Sequence, residues 1–219
     1  MKCRLILVVL IVLCVLSMSS AYAQGIAFSI KASTMGIDLG LTKSISPKLN
    51  GKLGLSFLSY NYSGETETED PVAYNIDLNM FAVAAIVDYH PFENTFRFSA
   101  GLLYNATELK GDGKAVNTYE IDTHVYTPER IGTLNVKVEP SLKVSPYLGI
   151  GFGNPVTHNK RLGFLFDIGM VYMGSPDVTL EADKDALIYP TIEQEADVEE
   201  DLKNAKFYPV VSLGFSYRF

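Results

Sequence analysis

The chain has 219 residues, a net charge of −7 at neutral pH and 47% hydrophobic residues. That length suffices for one substantial domain, and an acidic chain without a basic stripe excludes nucleic acid as a partner. Neither of its two cysteines, Cys3 and Cys14, lies beyond the first few turns of sequence, so no disulfide framework is expected in the folded domain.

The N-terminus reads MKCRLILVVLIVLCVLSMSSAYA. Lys2 and Arg4 precede an apolar run over 5–16, and Ala21-Tyr22-Ala23 places small residues where a signal peptidase reads. A secretory signal peptide over 1–23 is expected, cleaved after Ala23 and taking both cysteines with it. The domain is then 24–219. The apolar run is shorter than the roughly 20 residues of a membrane helix, and Cys14 follows Leu13 rather than the small residue that lipid attachment requires. No later apolar stretch reaches membrane-helix length. A membrane role then demands a closed barrel, because hydrocarbon cannot satisfy an open sheet edge.

Alternation of apolar with small or polar residues follows in chain order. The stretch 25–31 is the weakest strand, with Ile26, Phe28 and Ile30 on one side. From position 35 the apolar set is Met35, Ile37, Leu39 and Leu41; from 49 it is Leu49, Leu53, Leu55 and Phe57. Over 75–90 the phase slips, since Ile76, Leu78 and Met80 are even but Phe81, Val83, Val87 and Tyr89 are odd. A bulge near Met80-Phe81 would absorb the slip. Phe96, Phe98, Leu102 and Tyr104 form the next set. A long run over 134–152 follows, in which every even position is apolar or proline. The last two strands cover 162–172 and 207–219, the latter ending on Tyr217, Arg218 and Phe219.

Eight antiparallel strands close the count if 25–31 is the first. Short connections at 46–48, 91–94 and 154–160 alternate with long ones at 61–73, 110–133 and 182–206, as periplasmic turns and extracellular loops do. The expected fold is therefore all-β, a transmembrane up-and-down antiparallel barrel of about eight strands. A soluble sandwich also alternates, but its exposed face is seldom so rich in glycine and serine. Tyrosine and phenylalanine supply the interfacial girdles, tryptophan being absent.

The closing FYPVVSLGFSYRF resembles the C-terminal signal read by the barrel-assembly machinery of Gram-negative bacteria, with Tyr217 and Phe219 as its aromatic positions. Together with RFSAGLLYN and SPYLGIGFGN it resembles a little-characterised branch of the small OmpA/OmpW-like outer-membrane barrels. The resemblance implies an outer-membrane protein, a monomer in contact with lipid and lipopolysaccharide. It implies no chemistry and no cofactor.

Candidate functional residues come from the lumen phase, which holds Asp38, Lys52, Asp88, Arg97, Lys137, Glu139, Lys143, Asp167 and Arg218. An eight-stranded barrel has an interior that side chains just fill, and charges there must pair. A structural ionic network is expected, with a narrow ion path as the alternative. The segment 181–206 holds nine acidic residues and three lysines. Thr191 and Gln194 form a capping box that predicts a short helix there, read as a solvated surface or a divalent-cation bridge to lipopolysaccharide. His90 and His158 fall at turns. His124 lies in TYEIDTHVYT, a hairpin above the membrane, where adjacent Asp122 and Thr123 face other sides of a strand. Nothing there brings a base to a nucleophile. The expected function is structural or surface-interacting, without catalysis or bound metal. The alternatives are a narrow channel for small or hydrophobic solutes, motivated by the inward glycines, and a lipid-modifying enzyme.

Overall fold

A computed structural model describes residues 25–66, 71–92, 94–115, 119–121, 124–126, 132–156, 161–182 and 206–219. The expected signal peptide, the helix after Thr191 and His158 lie outside the described residues.

Eight strands pair antiparallel into a closed barrel: β1 (Ile26–Ser33), β2 (Gly36–Ser46), β3 (Leu49–Glu65), β4 (Val72–Tyr89), β5 (Phe96–Asn105), β10 (Val144–Phe152), β11 (Leu162–Tyr172) and β13 (Phe207–Arg218). Around the wall the order is β1-β2-β3-β4-β5-β10-β11-β13, and β13 pairs back onto β1 through Ala27↔Arg218 to Ser33↔Ser212. The weak first strand is thus the seam that closes the sheet. No described residue forms a helix.

The outer wall is apolar. A continuous row runs Phe215, Ile30, Leu39, Leu55, Val83, Tyr104 and Val144, each opposite the next across a strand pair. Leu148, Phe215 and Leu53 are 68%, 62% and 61% exposed, whereas the inward Arg97 and Asp167 are 1% and 2% exposed. Such an inside-out distribution suits hydrocarbon outside and a crowded polar lumen inside.

Beyond the barrel the wall continues as a rim sheet. β6 (Glu108–Ala115), β9 (Thr133–Pro140) and β12 (Pro176–Ala182) prolong β5, β10 and β11, and pair in the order β4-β6-β9-β12 onto the upper half of β4. Much of what reads in sequence as long loops is therefore strand. A small hairpin of β7 (Tyr119–Ile121) and β8 (His124–Tyr126) stands apart from it.

The phase slip in β4 has a different cause from the bulge the sequence suggests. β3 and β4 pair without any register break from Leu49↔Tyr89 to Glu65↔Ala73. Even positions face inward throughout; what changes is the medium outside. At the rim the outward residues become Ser59, Asn61, Asn75, Asp77 and Asn79, bonded to one another by Ser59 Oγ to Asn79 Oδ1 (2.9 Å) and Asn61 Nδ2 to Asp77 Oδ1 (2.5 Å). The inward ones become Leu58, Ile76, Leu78 and Met80. Leu78, Leu109, Val138 and Val178 form one inward row, and Asp77, Lys110, Lys137 and Thr179 the neighbouring outward one. The wall's polarity inverts where it leaves the apolar belt.

The long run over 134–152 is likewise two strands rather than one. From Val138 (opposite Leu109) to Val144 (opposite Tyr104) this side of the wall spans one residue more than β5 and β6 do. An extra residue turns every side chain beyond it to the other face. Arg substituted at Leu148, midway along the apolar wall, is expected to destabilise the barrel by about 2–4 kcal/mol, read from urea titration of folding into lipid vesicles. Asn79→Arg on the outward rim should leave the midpoint unchanged.

Candidate functional site: the barrel lumen

The lumen holds three layers of side chains. In the middle layer Lys31 projects from β1 between two carboxylates, with Nζ 3.0 Å from Asp167 Oδ2 and 3.1 Å from Asp38 Oδ2. Its third contact is to Ser212 Oγ at 3.2 Å, and that hydroxyl donates to Asp167 Oδ2 at 3.2 Å. The other oxygen of Asp167 meets Arg97 Nη2 at 2.5 Å. Arg97 Nη1 donates to the carbonyl of Gly153, and its Nε lies 3.7 Å from Asp88 Oδ2. Ser99 Oγ donates to Asp88 Oδ1 at 2.5 Å. Asp167 is thus the shared acceptor of two buried cations from strands on either side.

Glycines make room for these groups. A Cβ on Gly151 would strike Asp167 Oδ1 and come within 2.9 Å of Arg97 Cζ. One on Gly169 would lie 2.5 Å from Tyr147 Cε2, and one on Gly149 would lie 2.9 Å from Tyr147 Cζ. The space that the inward glycines leave is therefore occupied, by a guanidinium in one case and a phenol ring in the other.

Toward the loop end the lumen is closed by an apolar plug of Met35, Met80, Leu103, Tyr147, Val171 and Val210, all buried. Met35, an apparent wall position in sequence, instead sits in the β1–β2 turn and folds inward, with Gly36 taking the positive φ of 96° that the turn needs. Toward the turn end, Asn50, His90 and Asn154 form a polar plate: Asn50 Nδ2 lies 3.0 Å from His90 Nε2 and 3.3 Å from Asn154 Oδ1, and His90 Nδ1 lies 3.0 Å from the Asn94 carbonyl oxygen.

Of the residues expected in the lumen, Asp38, Lys52, Asp88, Arg97 and Asp167 face it. Lys52 forms no direct ion pair among the described residues. Arg218 keeps the inward phase at the turn end, opposite Ala27. Lys137, Glu139 and Lys143 do not face the lumen, a correction that follows from the extra residue before β10. They lie outside, at the rim, where Lys137 Nζ meets Glu139 Oε2 at 3.0 Å and Glu108 Oε2 at 3.2 Å, and Lys143 Nζ meets Glu139 Oε1 at 3.0 Å. The bond from Lys137, joined by that from Lys143, holds the Glu139 carboxyl below its usual range. Lys31, the centre of the network, escapes the sequence reading because its strand is the weakest one; its phase, opposite to Ile26, Phe28 and Ile30, was the available signal. Tyr217 and Phe219 pack edge to face with centroids 5.5 Å apart at the turn end.

No family model matches this sequence, and no curated protein does. Solved structures that share its fold include two from Acinetobacter baumannii. The crystal structure of Acinetobacter baumannii CarO aligns with a TM-score of 0.59 at 17% identity, over 92% of this chain and 100% of that one. That of Acinetobacter baumannii CarO2 aligns with a TM-score of 0.59 at 19% identity, over 89% of this chain and 98% of that one. At such identity the likeness concerns architecture alone: a small, closed, eight-stranded barrel of the outer-membrane type.

Removing the shared acceptor should be costly. Asp167→Ala leaves Lys31 and Arg97 buried and under-compensated, an expected loss of about 3–5 kcal/mol by urea titration. Adding Lys31→Met should recover part of that loss, and equal midpoints for the single and double variants would dismiss the shared-acceptor account.

Proposed function

We propose that this chain is a monomeric integral outer-membrane protein with a structural or surface-interaction role, secreted through its N-terminal signal and inserted by the barrel-assembly machinery. The turn end with Tyr217 and Phe219 faces the periplasm, and the rim sheet stands outside among lipopolysaccharide. The OmpA/OmpW-like branch is supported by the sequence motifs alone.

One observation carries this reading: side chains cross the lumen at every level, as a polar plate, a charged layer and an apolar plug. Lys31, Lys52 and Arg97 balance Asp38, Asp88 and Asp167, so the interior has the makings of a cross-strand staple. A channel would need Tyr147, Met80 and Met35 to move, because the glycines beneath Tyr147 are already covered. For a lipid-modifying enzyme the support is thinner, since both ring nitrogens of His90 are engaged by asparagines and bring no nucleophile into reach.

Planar-bilayer recording on pure folded protein is the discriminating measurement. The plugged barrel should stay silent at all voltages, and liposomes containing it should show no solute-dependent swelling. Stepwise conductance in the unmodified chain would replace this reading with the channel. Tyr147→Gly, which removes the ring from the plug but leaves the charged layer and the plate in place, is expected to stay silent as well.

A further inference from the structure

The plate at the turn end has a hydrogen-bond polarity with only one solution. Asn154 Oδ1 accepts the backbone N–H of Val156 at 3.2 Å, so that atom is the amide oxygen. An acceptor there requires Asn50 to present its NH2 group, at 3.3 Å. The same NH2 group faces His90 Nε2 at 3.0 Å, so Nε2 must accept and carries no proton. His90 Nδ1, 3.0 Å from the Asn94 carbonyl, must therefore carry it. His90 and Asn50 are 0% and 2% exposed, so water does not offer a substitute for either partner. The plate ties β3, the β4–β5 turn and the β10–β11 turn together through this one neutral tautomer.

We infer that the Asn50–His90–Asn154 plate is a pH-sensitive latch that closes the turn end of the lumen, and that protonation of His90 at Nε2 opens it. A second ring N–H would point at the N–H of Asn50, and the amide cannot rotate to accept it without turning its oxygen on Asn154 Oδ1. Donor meets donor in one orientation, acceptor meets acceptor in the other. The amide must leave, and water then reaches Asp88 and the charged layer behind it. The mechanism requires only closure at that end and holds whichever reading of the lumen is correct.

The charged groups acting on His90 are Asp88, two residues earlier on β4, which favours the imidazolium, and Arg97 on β5, which opposes it. Burial is the largest influence, and it holds the ring's pKa below the ordinary histidine value. The neutral plate's contribution is fully present above the unfolded value of about 6.5. It is lost as pH falls below that toward the lower folded value.

The test uses the mature chain folded in detergent with Ser56→Cys, an inward position opposite Asp38 in a domain that otherwise lacks cysteine. Labelling with dithiodipyridine, which reacts in acid, is followed from about pH 7.5 to about pH 4.5, a window around the histidine range. Nitrogen NMR of His90 is recorded in parallel, and heat-modifiable gel migration verifies the barrel. The Nδ1–H tautomer is expected at neutral pH, with labelling rising roughly tenfold at the midpoint of the His90 titration. Asn50→Asp, whose carboxylate accepts from Nε2–H, should raise the His90 midpoint, and because that carboxylate offers no donor to Asn154 Oδ1 its labelling should stay high at every pH. An Nε2–H tautomer at neutral pH, or labelling that stays flat while His90 becomes protonated, overturns the latch.

Discussion

Hydrocarbon supplies no hydrogen-bond partner, so a sheet that crosses it must leave no strand edge unpaired. In this chain that requirement falls on one contact, the pairing of β1 with β13, because every other neighbour in the wall follows the chain's own meander or its rim prolongation. The seam joins residues near the start of the domain to its last ones and brings Phe219 N within 3.1 Å of the Ile26 carbonyl oxygen. The same seam delivers Lys31 to the lumen, between Asp38 on the neighbouring β2 and Asp167 two strands away on β11. Closure and the ionic layer are therefore one event: the cation that holds the interior belongs to the strand that shuts the wall.

A narrow barrel leaves its interior groups almost no choice of neighbour. Bulky Arg97 and Tyr147 fit because the facing wall positions are glycine, and the glycines are tolerable because those side chains cover them. Buried ions at such density are stable only with complete partners, and Asp167 meets that condition by giving one oxygen to each cation. The apolar plug above and the amide–imidazole plate below keep bulk water from competing for these bonds.

The rim shows a second consequence of the surroundings. β3 and β4 carry the same pleat from one end to the other, yet the side that is greasy in the lower half is polar in the upper half. A sequence pattern that changes phase is ambiguous between a kinked strand in one medium and a straight strand passing through two. β4 is the second kind. The run through β9 and β10 shows the opposite case: an uninterrupted sequence phase conceals a true irregularity, and the two effects cancel in the pattern. That cancellation is why Lys137, Glu139 and Lys143 look like lumen residues and are rim residues.

Alternation and turn chemistry determine from sequence alone that this chain makes a barrel of eight strands, which faces of its lower wall are greasy, and that Asp38, Lys52, Asp88, Arg97 and Asp167 point inward. Those properties are legible because the pleat has a period of two and reports facing locally. The pairing of Lys31 with Asp167, the burial of His90 against Asn50 and Asn154, the inward fold of Met35 and the rim sheet were decided only by tertiary structure. Each depends on which strands become neighbours and where the wall leaves hydrocarbon. Those are relations between distant segments, and a local period carries no record of them.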